Sequence, residues 1–278
     1  MRLTSPTRPT VVALAAATLL ALSACSGGST GTAASGSDGT LKAGTLSIGS
    51  DLTYPPYAYL DGKTPAGFDP EVARARAGQA GLKPDFVDTR FEQLIAGLGA
   101  GRFDVIASDL YVTDERAKKV DFIPYFTTGN SLLALSDGSF RPKTTGELCG
   151  KTVAVIKGGQ IVQDLRGEAT QACTGQGRKA IDVREFTTDP EAAQALLSGQ
   201  VDAQLTDAAV AKATAEKTKG RLAVTSSQII YPVTAGLAVK KGNTALKATL
   251  VKALAALEKS GAYGKLLTRY NLAKAEES

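Results

Sequence analysis

Two segments lying 100 residues apart share one pattern, and that pattern most restricts the fold. "FEQLIAGLGAGRFDVIASD" (91–109) and "EAAQALLSGQVDAQLTD" (191–207) each run through a helix, a glycine turn, an aliphatic–Asp start and a short strand ending in Asp. Each reads as one βαβ half of a sheet of its own. From residue 45 onward, strands alternate with helices of about 10–15 residues, which predicts an α/β fold with largely parallel sheets. Two similar lobes follow, with strand C-termini facing a shared cleft. Ligands of open α/β sheets bind outside the carboxyl ends of strands, so the loops after residues 50, 107, 156 and 205 are the places to look.

Local signals add detail. "GFDPEVARARAGQAG" (67–81) reads as a helix with Asp69 as N-cap, Pro70 at the first helical position, Phe68 in the core and Gly81 as the stop. After a stretch with Pro124, "SLLALS" (131–136) reads as a strand. "NTALKATLVKALAALEKSGAYGKLLTRYN" closes the chain with two helices split near Gly261.

Composition removes several functions. With 43% hydrophobic and 21% charged residues, global disorder is excluded. There is no His, so the commonest general base and the commonest metal ligand are missing together. No metal or cofactor is expected. The formal charge of +5 is spread thinly and includes Arg2 and Arg8. Nucleic-acid binding would need those charges clustered.

The N-terminus reads as a targeting segment. Arg2 and Arg8 precede "VVALAAATLLALS" (11–23), an apolar run of 13 residues that is too short to span a bilayer as a helix. It ends in "LSAC" (22–25), which resembles a bacterial lipoprotein signal, in which the cysteine becomes the lipidated first residue. The other reading is an ordinary secretory signal with a chance cysteine. Residues 1–24 are expected to be removed. Residues 25–40 would then be lipidated Cys25 and a Gly/Ser/Thr tether, with a reach of roughly 20 Å. A secreted chain meets an oxidising compartment, so the remaining cysteines, Cys149 and Cys173, are expected to bridge rather than stay as two free buried thiols.

Three segments carry a family resemblance. "IGSDLTYPPYAYLDGKTPAGFDPEVA" (48–73), "FEQLIAGLGAGRFDVIASDLYVTDERAKKVDF" (91–122) and "GQVDAQLTD" (199–207) resemble the extracellular solute-binding proteins, family 3, that deliver polar amino acids to ABC importers. The likeness runs over nearly all of 44–271. It implies a periplasmic-binding-protein type II clamshell: two α/β lobes joined by two crossover hinge strands. Lobe 1 would be 41–128 plus 234–278, and lobe 2 would be 129–233. It also implies a ligand set. Arg116, after "VTDE", would hold the α-carboxylate and Asp207, ending "QLTD", the α-ammonium. Asp51 and Tyr54 would touch the ligand side chain, and Phe91 would line the pocket. Ser108, Asp109 and Tyr111 would reach the ligand from one loop. Gly159 and Gln160 stand where the family often has a Gly-Thr-Thr or Gly-Ser-Ser turn. Tyr111 stands where it usually has Ser or Thr, and Asp109 is unusual beside a carboxylate site.

The physical chemistry supports such a set. Arg presents a planar fork that matches a carboxylate, and Asp suits an ammonium. Placed on opposite lobes, they make closure depend on the ligand. Each residue also has a plainer reading. Arg116 could be a solvated charge or pair with Asp114 or Glu115. Asp207 could cap the following helix, and Asp51 could be a turn residue. Asp109 could pair with Arg116 or a lysine. Tyr57 is left open. If Asp51, Asp109 and Asp207 all face Arg116, the bare site is negative and favours a cationic amino acid or related cationic solute. If Asp109 faces away, a neutral amino acid such as glutamine fits equally.

The expected protein is therefore not an enzyme but a lipid-anchored, extracytoplasmic monomer. Its expected partners are a small solute, an ABC permease and, through the lipid, the cell membrane. The rivals are a ligand sensor feeding a membrane receptor, a binder of a carboxylate-free cation, and an enzyme such as a dehydratase on the same scaffold.

Overall fold

The computed structural model describes residues 38–275. The expected lipidation at Cys25 and most of the tether lie outside the described residues. Among those residues, no helix is long and apolar enough to cross a membrane.

One ten-stranded sheet runs through the molecule. Its order is Lys83–Asp88, Thr45–Ser50, Val105–Ile106, Ile230–Lys240, Val120–Leu135, Ala203–Asp207, Thr152–Ile156 and Asp182–Phe186, with two short strands off this path. The three strands at each end pair in parallel, as the sequence pattern requires. The centre holds the two crossover strands that the resemblance implies, in place of further parallel pairs. The long strands Val120–Leu135 and Ile230–Lys240 pair antiparallel with one another and join the two halves. The predicted strand at 131–136 is thus the far end of a 16-residue strand. Pro124 sits inside it, opposite Gly236, where the register shifts. That irregularity absorbs the missing N–H, which otherwise excludes proline from a central strand.

Each half has its own core. Leu46, Ile48, Phe68 and Val72 pack with Leu237, Leu250 and Tyr263 from the C-terminal part of the chain. In the other half, Leu132, Val153 and Leu205 point to one cluster, and Leu133, Ala154 and Leu222 to another. Successive side chains alternate between faces, so this half of the sheet is covered on both sides. A disulfide between Cys149 and Cys173 staples this half.

The helix Phe68–Gln79 corrects another expectation. Its N-cap is Gly67, not Asp69. Gly67 has φ 104°, and a Cβ there would lie 2.5 Å from the Tyr57 carbonyl oxygen, so only glycine fits. Asp69, freed from capping, is fully buried.

Candidate functional site

Strand ends from both halves converge as anticipated. Asp51 and Tyr54 follow the strand Thr45–Ser50, and Ser108, Asp109 and Tyr111 follow Val105–Ile106. From the other half come Gly159 and Gln160, after Thr152–Ile156, and Asp207, which ends Ala203–Asp207. Hydrogen bonds cross between the two sets. The Tyr54 hydroxyl lies 3.1 Å from Thr206 Oγ1. Arg116 Nη2 donates to the Gly158 carbonyl at 3.1 Å.

Asp207 is the centre of this seam. Its Oδ1 accepts from the Tyr57 hydroxyl at 2.9 Å and from the Ala209 N–H at 2.9 Å. Its Oδ2 accepts from the Tyr111 hydroxyl at 2.9 Å and from Thr128 Oγ1 at 2.7 Å. A carboxylate offers about four acceptor positions, so all are taken. Asp207 therefore both caps the helix Ala208–Lys217 and faces the other lobe. Burial raises its carboxyl above the ordinary range, and the Thr128, Ala209, Tyr57 and Tyr111 bonds pull it back. Burial also pushes Tyr54, Tyr57 and Tyr111 well above the ordinary phenol range, and the nearby carboxylates add to this. They remain neutral hydroxyls at any physiological pH.

Beside this seam lies a cavity of about 20 Å³, room for roughly one water. Tyr54, Phe91 and Tyr111 give it aromatic walls, and Ile156 and Ile161 give it aliphatic ones. Gly159 and Gln160 form its far rim, and Asp109 and Arg116 supply its charges. Arg116 is 8% exposed, so its reading as a solvated charge does not hold. Its Nη1 donates to the Tyr111 carbonyl at 3.0 Å, and its guanidinium lies 5.6 Å from the Phe91 ring centre. Among the described residues, three of its five N–H groups keep no bond, enough for a bidentate carboxylate. Burial lowers its pKa, while Tyr111 and Asp109 oppose that shift.

Asp109 has φ 45°, a left-handed conformation that Asp tolerates better than most residues. Its N–H donates to Asp69 Oδ2 at 2.8 Å, and the Tyr125 hydroxyl holds Asp69 Oδ1. Asp69 thus aims the loop that carries Asp109. Asp109 Oδ1 is buried and has no hydrogen-bond partner among the described residues. Burial, with Asp207 and Asp69 nearby, pushes its carboxyl well above the ordinary range.

Asp51 corrects the sequence reading. It is fully buried but does not line the cavity. Its Oδ1 accepts from Thr53 Oγ1 at 2.7 Å and pairs with Arg90 Nη1 at 2.9 Å, and its Oδ2 accepts from the Phe91 N–H at 2.9 Å. A carboxylate so occupied holds the turn and positions Phe91. Ser108 is likewise committed, accepting from the Asp51 N–H at 3.0 Å. Sequence reasoning missed Thr128, Thr206, Ile156, Ile161 and Asp69. The second tyrosine of "YPPY" was the available signal for Tyr57.

Comparison with known proteins agrees with this architecture. The family model of the bacterial extracellular solute-binding proteins, family 3, matches residues 46–273. The L-cystine-binding protein TcyJ of Escherichia coli (strain K12) is 34% identical over 221 residues, covering 78% of this chain and 79% of that protein. An ancestral arginine-binding protein bound to arginine aligns with a TM-score of 0.75 at 33% identity, over 82% of this chain and 98% of that one. The ancestral amino acid-binding protein AncCDT-1, a precursor of cyclohexadienyl dehydratase, aligns with a TM-score of 0.68 at 31% identity, over 82% of this chain and 95% of that one. The two lobes on two crossover strands are those of the type II periplasmic-binding clamshell. By the match over 46–273, the chain belongs to the bacterial extracellular solute-binding proteins, family 3.

Proposed function

We propose that this protein captures a polar amino acid in the cleft between its lobes and delivers it to the permease of an ABC importer. The observation that carries this reading is the pairing of a buried guanidinium, Arg116, with a buried carboxyl, Asp109, on one aromatic-walled cavity between the strand ends. Arg116 takes the ligand carboxylate through its free N–H groups. An acid of the cleft meets the amine, and Tyr54 and Phe91 lie against the side chain. Gly159 and Gln160 close over the ligand from the second lobe. At about 20 Å³, the cavity admits an amino acid only when the lobes part.

The lean toward cationic ligands survives with fewer charges. Arg90 neutralises Asp51, which leaves Asp109 and Asp207 against Arg116. That remaining negative excess favours a cationic amino acid. Of the ligands named for the relatives, arginine is cationic, whereas cystine is polar with no net charge.

In this reading the lobes divide at 128/129 and 233/234. Both boundaries fall inside the long strands Val120–Leu135 and Ile230–Lys240, and the second lies beside the register shift between Ile230 and Val233. A lipidated Cys25, left after removal of residues 1–24, tethers a monomer outside the cell membrane. The protein carries its ligand without chemical change. Calorimetric titration of the purified protein with arginine, lysine, ornithine, glutamine, glutamate and carboxylate-free cations tests the proposal. Binding confined to amino acids is expected. Binding only to the carboxylate-free cations, or turnover of a bound ligand, overturns it.

A further inference from the structure

Gly158, in the turn after the strand Thr152–Ile156, brings the second lobe against the backbone of the first. A Cβ on Gly158 would lie 3.0 Å from Glu92 Cα and 3.1 Å from Glu92 Cβ. Carbon atoms in contact prefer about 3.5–4.0 Å, so a side chain here holds the lobes apart by roughly 0.5–1 Å. Gly158 also has φ 77°, which glycine adopts without strain.

Both sides of this contact are braced. On the first lobe, Glu92 belongs to the single helical turn Phe91–Gln93. Asp51 Oδ2 holds the Phe91 N–H at 2.9 Å, and Arg90 ties Asp51 Oδ1 at 2.9 Å. On the second lobe, the Lys157 N–H donates to the Phe186 carbonyl at 2.8 Å and the Gly159 N–H to the Ile156 carbonyl at 3.2 Å. Lys157 Nζ lies 2.8 Å from Glu92 Oε2, but the lysine is 53% exposed, and such a pair adds little. The backbone approach, not the charge, sets the limit. Arg116 stands beside it. The Gly158 carbonyl accepts from Nη2, and the Tyr111 carbonyl of the first lobe accepts from Nη1. One guanidinium thus has an anchor in each lobe. Arg116 lines both the inner cavity and an outer groove of about 450 Å³, onto which Glu92 and Gly158 face.

We propose that Gly158 is a positioning residue: it is the stop that sets how far the cleft closes, and its carbonyl completes the setting of Arg116 only at full closure. The second half rests on the amino-acid reading above, in which Arg116 takes the ligand carboxylate. A grip finished by the arriving lobe slows the ligand's departure and leaves its arrival unchanged, since arrival precedes closure.

The test uses Gly158→Ala and Gly158→Asn in the purified protein, with Gly177→Ala as the control. Gly177 lies in the same lobe at φ 70°, with nothing within 4 Å of where its Cβ would stand. Gly158→Ala and Gly177→Ala are expected to lower Tm alike, by about 2–4 °C, the cost of alanine in a left-handed backbone. Gly158→Asn tolerates that backbone and should lose less Tm, yet its Cβ meets Glu92 as that of alanine does. In equilibrium and kinetic titrations with arginine, lysine, ornithine and glutamine, both Gly158 variants are expected to weaken the tightest binder at least ~10-fold, through faster release. Gly177→Ala should bind within threefold of the wild type. Hydrogen exchange over residues 90–95, with that ligand bound, should rise in the Gly158 variants alone. Binding of both Gly158 variants within threefold of the wild type overturns the proposal. So does a loss carried by the association rate, or a loss in Gly177→Ala that matches theirs and makes the effect one of backbone strain. A wild-type protein that binds none of the four defeats the amino-acid reading itself. The stop is then judged on exchange over residues 90–95 without ligand, and unchanged exchange in both Gly158 variants overturns it.

Discussion

The Tyr111 hydroxyl meets Asp207 Oδ2 at 2.9 Å, joining a loop of the first lobe to the last residue of a strand in the second. It also lies 3.2 Å from Asn130 Oδ1, on the long strand that links the lobes. The hydroxyl of Tyr111 thus reaches across the cleft to a buried carboxylate.

Removing that hydroxyl should loosen the closed arrangement. Tyr111→Phe keeps the ring against the cavity and deletes one bond to a buried carboxylate, worth about 1.5–3 kcal/mol. Small-angle scattering without added ligand should show a larger radius of gyration than the wild type. An unchanged profile would assign closure to the Tyr54–Thr206, Tyr57–Asp207 and Arg116–Gly158 contacts alone.

Arg116 should dominate affinity. Arg116→Ala strands the ligand carboxylate in a water-poor cavity and is expected to weaken binding by about 2–5 kcal/mol. Arg116→Lys keeps the charge but loses the fork, so it should fall between the two. A calorimetric Kd for Arg116→Ala within threefold of the wild type would falsify the carboxylate role.

Two buried carboxyls should make stability depend on pH. Burial raises Asp69 from 3.8 to about 7, and burial raises Asp189 from 3.8 to about 6. Both pKa values rise on folding, so between these limits the native state binds more protons than the unfolded chain. Their contribution is full below about pH 4 and is lost as pH climbs through 6 and 7. Tm should therefore be higher at pH 5 than at pH 7.5, and Asp69→Asn together with Asp189→Asn should flatten the slope. A wild-type Tm that rises across that interval contradicts the assignment.

The disulfide should matter for stability and little for binding. Cys149 and Cys173 lie 24 residues apart, and the loop they close is worth about 3 kcal/mol in the chain-entropy model. Replacing both with Ser should lower the urea midpoint accordingly. Neither residue lines the cavity, so the ligand Kd should stay within threefold. A midpoint that does not move would show that the bridge contributes nothing in solution.

Most of the parallel sheet was legible in the sequence, because alternating apolar runs and glycine stops are local signals. The hinge was not. Pro124 broke the pattern of Val120–Leu135, and only the register shift at Gly236, contributed by a strand over 100 residues later, lets the strand continue. The site was legible in part for the same reason. Arg116 and Asp207 sit in motifs that mark them, and both are buried at the seam. Asp51 sits in an equally good motif, yet Arg90 and the Phe91 N–H occupy it, and no local pattern announces those partners. Asp69 looked like a cap because Asp before Pro commonly is one. Its real partners, Tyr125 and the Asp109 N–H, lie 40 or more residues away.

The two crossings of the long strands also set an order of assembly. The buried residues of the second half's two clusters all lie between Leu132 and Leu222. The first half's core joins Leu46, Ile48 and Phe68 to Leu237, Leu250, Tyr263 and Leu267. Synthesised from its N-terminus, the chain therefore carries its earliest strands unfinished until the closing helices have left the ribosome. A protein that must be threaded through an export channel before it folds gains from that delay, since the cluster around Leu46, Ile48 and Phe68 stays incomplete until the last turns of helix arrive.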